Sequence, residues 1–306
     1  MKNILIIGGS YFTGRVFVEE LLKQGGYNIF VFNRGNIPLN FKGVTELKGD
    51  REDQDRIRNT LPEKEWHAVV DFCAYTPDHI EKMIRSIHGT LHQYIFISTT
   101  AVYETTFDLP IKEDAAKVSK PQPELGPYAD YGLNKWLAEI SLRSEGEKRG
   151  IAYTCLRPAI IYGPYNYAPR ESYFFDLLRD NKPMVVPKNE LALYSFVSVL
   201  DAAKIILKCL GNEKALNETF NIAGEELISY PRLAQMLEVI SGKKPKIIKM
   251  TLDEIRQMEI PLPFPPDSHL VYSGEKIRRV LDIEYTPFTE GMRETYKYYQ
   301  MLQARK

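Results

Sequence analysis

Short runs of apolar, largely β-branched residues at 4–7, 29–32, 68–72, 94–98 and 152–156 punctuate the first two-thirds of the chain. Between them lie amphipathic stretches at 15–24, 78–87 and 131–147. The runs carry apolar residues on both faces, which suits strands buried between two helical layers. The alternation predicts an α/β architecture, a doubly wound parallel sheet. After about residue 165 the rhythm breaks. Tyrosine, proline and asparagine accumulate, helical or strand pieces follow at 174–179 and 195–210, a proline-rich rigid loop spans 261–266, and a last helix spans 290–304. The predicted organisation is a larger domain over 1–167, to which 195–222 returns, and a smaller α+β domain toward the C-terminus made from 168–194 and 223–306.

Composition narrows the function classes. The 306 residues suffice for one large domain or two ordinary ones, and an apolar fraction of 44% with 26% charged is that of a globular protein. Forty basic residues balance forty acidic ones, which gives no net pull toward nucleic acid or anionic membrane. Cys73, Cys155 and Cys209 form no CxxC pair and read as reduced core residues. No apolar stretch approaches the length of a membrane span, and 4–7 is too short for a signal-peptide core, so the expected compartment is the cytoplasm.

The first apolar run leads into Gly8-Gly9-Ser10-Tyr11-Phe12-Thr13-Gly14 and then into a helical pattern. A dinucleotide site needs a tight strand-to-helix turn whose bare amides, with the helix dipole, hold a pyrophosphate. Glycines placed between a first strand and an amphipathic helix meet that need, so Gly8, Ser10, Tyr11, Phe12, Thr13 and Gly14 are candidate cofactor residues of a Rossmann domain. About 20 residues on, where an acid usually holds the adenosine ribose, stand Asn33 and Arg34. An acid would repel a 2′-phosphate, whereas Arg34 can pair with one, which tilts the choice between NAD and NADP toward NADP. A solvated surface charge is the other account of Arg34. Asp50 could accept from the adenine amino group or cap a helix.

Tyr131 and Lys135 are four apart on one helical face. A phenol with an ordinary pKa of about 10 is a poor base at neutral pH, and a neighbouring ammonium lowers it. Tyr272 and Lys276 repeat the spacing, so spacing alone assigns nothing. Context separates the two pairs: Ser98-Thr99-Thr100 ends the run at 94–98, and ligands of open α/β sheets sit at the carboxyl ends of strands. A hydroxyl there, with Tyr131 as proton donor and acceptor and Lys135 beside it, makes a catalytic set for chemistry at a carbinol or carbonyl carbon.

With these motifs in place the chain resembles the extended short-chain dehydrogenase/reductase family, also called the NAD-dependent epimerase/dehydratase family, over nearly its whole length. The glycine turn, Ser98-Thr99-Thr100-Ala101-Val102-Tyr103, the Tyr131/Lys135 pair, the segment from Leu156-Arg157-Pro158 to Tyr162-Gly163-Pro164, the Phe196-to-Ala203 block and Phe220-Asn221-Ile222-Ala223-Gly224 fall in family order. The resemblance implies Thr99, Tyr131 and Lys135 as catalytic residues and a nicotinamide cofactor contacted also by Cys73, Ala74, Lys135 and Pro158. It further implies a nucleotide-sugar-like small-molecule substrate met by Thr100, Tyr131, Tyr165, Arg170 and Tyr173, and a homodimer. The tyrosines after Gly163-Pro164 could equally be a packed aromatic cluster. A 4,6-dehydratase carries an acid pair after its catalytic threonine; Thr100 and Ala101 stand there, leaving epimerase and reductase.

One departure matters. The family's middle glycine is Tyr11, a feature shared with an atypical branch that includes the chloroplast stem-loop-binding proteins. That branch keeps RNA as an alternative partner, although the chain has no RNP-like motif and no basic run. Two other chemistries find no support. His88 and His92 lack a third ligand nearby, so no metal is expected, and no GxSxG elbow marks a serine hydrolase.

Overall fold

The computed structural model describes residues 1–188 and 191–305, and the chain divides into two compact units. The first comprises Met1–Pro158, Leu200–Ile222 and Ser273–Glu284; the second comprises Ala159–Val199, Ala223–Tyr272 and Tyr285–Lys306.

The first unit is a seven-stranded, wholly parallel sheet. Its strands are β1 (Lys2–Ile7), β2 (Tyr27–Asn33), β3 (Val44–Lys48), β4 (Trp66–Asp71), β5 (Gln93–Ile97), β6 (Ala152–Pro158) and Glu218–Ile222. The spatial order is β3-β2-β1-β4-β5-β6 followed by Glu218–Ile222. The order reverses at β1, which has β2 on one side and β4 on the other, and the carboxyl ends at such a switch point are where open α/β sheets bind ligands. Ile4, Leu5, Ile6 and Ile7 are all buried, as a strand covered on both faces must be. The helices that matter here are α1 (Phe12–Gln24), α2 (Gln54–Thr60), α3 (Pro77–Ser86) and α4 (Tyr131–Arg149). Pro77 and the Thr76 side chain, which accepts from the His79 amide, start α3, and Gly150 in the left-handed region ends α4.

Most of the α/β rhythm matches the apolar pattern, with differences that have physical reasons. β3 is absent from the apolar runs because Val-Thr-Glu-Leu-Lys is a polar edge strand with no fully buried residue. The stretch expected at 195–210 resolves into a strand, Tyr194–Ser198, and a helix, Val199–Cys209. The unit boundary falls after Pro158 because Ile160–Tyr162 pairs with Tyr194–Ser198 and so belongs with the second unit. Ser273–Glu284 joins the first unit, where Lys276 Nζ donates to Glu218 Oε2 at 2.7 Å and to the Thr219 carbonyl at 2.9 Å.

The second unit holds a three-stranded sheet (Ile160–Tyr162, Tyr194–Ser198, Leu227–Ile228) and a two-stranded parallel one (Met184–Pro187 with Ile247–Met250). Its core is aromatic: Phe174, Tyr194, Phe196, Tyr230, Phe264 and Phe288 are buried together. Edge-to-face contacts such as Phe196 on Phe264, 5.2 Å between centroids at 89°, hold it.

A charged cluster is sealed inside the first unit. α4 turns Lys135, Ala138, Glu139 and Leu142 inward, the spacing of one helical face. Glu139, fully buried, accepts from Ser98 Oγ at 2.6 Å and from Arg157 Nε and Nη2 at 2.9 and 2.7 Å. Arg157 Nη1 donates on to the Tyr103 hydroxyl at 2.8 Å, and that hydroxyl donates to Asn221 Oδ1 at 2.6 Å. Burial works against the Arg157 charge, but the Glu139 carboxylate outweighs it and holds the guanidinium above its ordinary value. The cluster ties α4 and the end of β6 to the residue just before Thr99. Removing one partner strands the other as an unpaired buried ion, so Arg157→Met or Glu139→Leu alone should cost about 3–5 kcal/mol in chemical denaturation. The double variant should recover most of that loss; a double as damaged as the sum of the singles would contradict the pairing.

Candidate active site

The glycine turn closes by direct contact. Gly8 (φ +91°) lies against Cys73, where a Cβ would come within 2.9 Å of the Cys73 Sγ. A Cβ on Gly14 would fall 2.8 Å from the Gly9 Cα, so α1 can start this close to β1 only with glycine at both places. Tyr11, at the family's middle-glycine position, needs no such licence: its backbone is extended (φ −141°, ψ 151°). The left-handed residue is the next one, Phe12 at φ +42°, a conformation that costs a bulky residue about 1 kcal/mol or more.

Around this turn opens a cleft of about 440 Å³ at the carboxyl ends of β1, β2, β3 and β4. Of the predicted cofactor residues, Gly8, Ser10, Tyr11, Asn33, Arg34, Asp50 and Cys73 line it. Phe12, Thr13 and Gly14 are buried in the first turn of α1 and do not line it; Ala74, Lys135 and Pro158 do not line it either. Asp50 is not a helix cap: α2 is capped by Asp53, which accepts from the Arg56 amide, while Asp50 Oδ1 accepts from the Glu52 amide at 3.0 Å. A hollow of about 560 Å³ near the amino ends of β1 and β2 is larger, but its sole charged side chain, Lys64, sits over the Phe30 ring, and it carries no reactive set.

The cleft also contains residues the sequence argument missed: Arg51, Tyr75 and His79 among them. Arg51 reaches under the cleft, giving Nη1 and Nη2 to the two oxygens of buried Asp71 at 2.9 and 3.1 Å, Nη1 also to the Cys73 Sγ at 3.3 Å, and Nη2 to the His79 carbonyl at 3.0 Å. Tyr94 OH donates to Asp71 Oδ2 at 2.6 Å. Burial alone would raise Asp71, but the Arg51 guanidinium overrides it and holds the carboxyl below its usual range. Burial pushes the Cys73 thiol up to about 11, so it is held as a neutral thiol. No local signal marks Arg51, which follows a polar edge strand and finds its partner, Asp71, twenty residues on.

Two side chains of the cleft hold donors without acceptors. Asn33 Oδ1 accepts from the Gly35 amide at 2.7 Å, which orients the side chain and leaves its Nδ2 buried with no partner among the described residues. Arg51 Nε is likewise buried and without a partner. Buried orphan donors cost free energy until an acceptor arrives, so two in one cleft are a fit to an oxygen-rich ligand.

The predicted catalytic residues Thr99, Tyr131 and Lys135 do not line the cleft; Tyr75, which does, packs against two of them. Lys135, 2% exposed, donates Nζ to the carbonyls of Ala74 at 2.8 Å and Ile97 at 2.7 Å. Its ammonium lies over the rings of Phe96 (4.5 Å) and Tyr75 (5.2 Å), and the Tyr75 ring is 6.4 Å from that of Tyr131. Gly132 lets the first turn of α4 close onto the turn after Thr99, since a Cβ there would collide with the Ala101 carbonyl. Thr99 Oγ1 accepts from the Ala101 amide at 3.1 Å and so shapes that turn, in which Thr100 is buried. Among the residues expected on substrate, Tyr165 packs edge-on to Tyr298 at 5.1 Å, Tyr173 likewise on Phe174 at 5.2 Å, and Arg170 Nη1 donates to the Ile161 carbonyl at 3.3 Å, all within the second unit. Among the described residues no three or more His, Cys, Asp or Glu are grouped to hold a metal, and no helix is long and apolar enough to cross a membrane.

Burial pulls the Lys135 ammonium down to about 8, with the Asp71 carboxylate working the other way. A lysine lowered on folding binds its proton less well in the folded chain than in the unfolded one. Stability from this group is therefore least below about 8 and rises toward the ordinary 10.5. In urea denaturation the wild-type chain should gain on Lys135→Met between about pH 7 and about pH 10; a difference independent of pH would contradict a buried, titrating lysine.

Residues 80–223 match the NAD dependent epimerase/dehydratase family. The chain is 30% identical over 314 residues to the chloroplast stem-loop binding protein of 41 kDa b of Arabidopsis thaliana, covering 96% of this chain and 78% of that one. It is 24% identical over 284 residues to an uncharacterized UDP-glucose epimerase of Bacillus subtilis, covering 79% and 83%. The UDP-glucose 4-epimerase of Thermotoga maritima, solved with UDP-glucose, superposes with a TM-score of 0.78 at 20% identity, over 98% of this chain and 99% of that one. The UDP-glucuronic acid 4-epimerase of Bacillus cereus, solved with UDP-glucuronic acid and NAD, gives 0.76 at 18% identity over 98% and 99%. At these identities the solved structures establish the shared fold, and the Arabidopsis relative establishes the kinship. By its sequence and its fold, the chain belongs to the NAD-dependent epimerase/dehydratase family.

Proposed function

We propose that this protein is a nicotinamide-dependent epimerase or reductase acting on a hydroxyl or carbonyl carbon of a nucleotide-sugar-like substrate. The observation that carries the reading is the Lys135 ammonium, fixed by two strand-end carbonyls and sharing the face of Tyr75, a cleft residue, with Tyr131 nearby. An ammonium has three donors, and two are committed to Ala74 and Ile97, so the third is left for a ribose or substrate oxygen. Tyr131 takes the proton from the substrate hydroxyl or returns it. Thr99 orients the substrate oxygen from the turn that Gly132 brings against α4. The bound nicotinamide supplies the hydride acceptor and donor. Gly8, Ser10 and the first amides of α1 would hold its pyrophosphate, and Asn33, Arg34, Asp50 and Arg51 its adenosine. Thr100 and Ala101, in place of an acid pair, leave dehydration without its acid.

The donor-only chemistry of Asn33 Nδ2 and the Arg34 guanidinium favours NADP over NAD. A second reading, recognition of structured RNA, draws on the name of the Arabidopsis relative; forty basic against forty acidic residues weigh against it. A salt series of gel shifts with stem-loop RNA separates the two readings.

Two outcomes follow for the enzyme. Tyr131→Phe should lower turnover of a nucleotide sugar by about 10²-fold or more while cofactor affinity stays within a small factor, and unchanged turnover would remove Tyr131 from the mechanism. Asn33→Asp places a carboxylate beside the 2′ position, so NADPH affinity should fall about tenfold and NADH affinity should hold or rise. Equal losses for both cofactors would contradict the 2′-phosphate assignment.

A further inference from the structure

Family resemblance makes Tyr11 an obstruction: a glycine there bares the backbone to the pyrophosphate, and a side chain fills that room. The structure supports a different account. Tyr11 keeps an unstrained extended backbone, and the strained conformation falls on Phe12, whose buried ring anchors the turn. The Tyr11 side chain is thereby delivered into the lining of the cleft, where it stands 43% exposed. Two more large side chains line the same cleft half in water, Tyr75 at 47% and Ile37 at 43%. Large apolar surface left in water around one concavity marks a ligand face, and tyrosine suits a dinucleotide because its ring packs on sugar or base while its hydroxyl meets oxygens.

We propose that Tyr11 and Tyr75 are cofactor-binding residues that grip the dinucleotide from opposite ends of the cleft, Tyr11 replacing the glycine's open space with a direct contact. This rests on the nicotinamide reading of the cleft. Tyr11, carried on the glycine turn, takes the pyrophosphate and adenosine half. Tyr75, whose ring lies under the Lys135 ammonium, takes the nicotinamide half. The turn has traded bare backbone for an aromatic wall.

The test is a fluorescence titration of the full chain with NADPH and with NADH, comparing wild type with Tyr11→Gly, Tyr11→Ala, Tyr11→Phe and Tyr75→Ala. Melting curves check that each variant is folded. Tyr11→Gly and Tyr11→Ala should each weaken binding about tenfold, and Tyr75→Ala should weaken it as well. Alanine guards against the loosening of the turn that glycine itself introduces. Tyr11→Phe tells ring from hydroxyl: wild-type affinity assigns the contact to the ring, and affinity as low as that of the alanine variant assigns it to the hydroxyl. Binding that is unchanged or tighter in Tyr11→Gly and Tyr11→Ala overturns the proposal and leaves the nicotinamide reading standing. Binding by those two variants where wild type binds neither cofactor overturns it in the same way. Failure of every protein, wild type included, to bind either cofactor overturns the nicotinamide reading itself.

Discussion

A lysine ammonium taken almost wholly out of water is the constraint on which the first unit is arranged. Lys135 is 2% exposed, and its charge is met there by the carbonyls of Ala74 and Ile97, by the field of the Asp71 carboxylate and by the aromatic faces of Phe96 and Tyr75. Those partners come from the segment after β4 and from the end of β5, so the lysine fixes α4 against both at once. Four residues on, Glu139 repeats the attachment through Ser98 and Arg157. Between Tyr131 and Lys135, Gly132 removes the side chain that would hold the helix off the turn after Thr99. A core built for stability alone would have used apolar residues at these positions; a buried ion pair is weak evidence of stability and better evidence of a geometry being held.

The cleft shows the same economy at its other end. Arg51 and Asp71 neutralise each other below the cleft floor and keep the segment from Asp71 to Cys73 in place through the arginine's contact with the Cys73 sulfur. That segment continues to Ala74 and Tyr75, which hold Lys135. The end of β4 and the short stretch after it are thus gripped by Arg51 on one side and by Lys135 on the other. Five consecutive residues, 71–75, carry the contacts of both Arg51 and Lys135.

What could be read in the sequence was whatever a local pattern encodes. The strands buried on both faces stand out as short, largely apolar runs, the glycine turn stands out between a strand and a helix, and the Tyr131/Lys135 pair stands out once Ser98-Thr99-Thr100 at a strand end gives it context. Whatever depends on partners distant in sequence stayed hidden. β3 is an edge strand whose polar pattern carries no burial signal. Arg51 looks like a surface charge until Asp71, twenty residues on, is seen to accept from it. The boundary between the units follows the pairing of Ile160–Tyr162 with Tyr194–Ser198, which no local window contains. Tyr11 was legible as a departure from the glycine motif, but whether its side chain enters or leaves the cleft is set by the backbone angles of Tyr11 and Phe12.

On the proposed function, this cleft is a working nicotinamide site. Calorimetric titration of the wild-type chain with NADP⁺, NADPH, NAD⁺ and NADH tests it without knowledge of the substrate. A working site predicts saturable binding with one site per chain, and tighter binding of the 2′-phosphorylated forms. No binding of any of the four forms would contradict it.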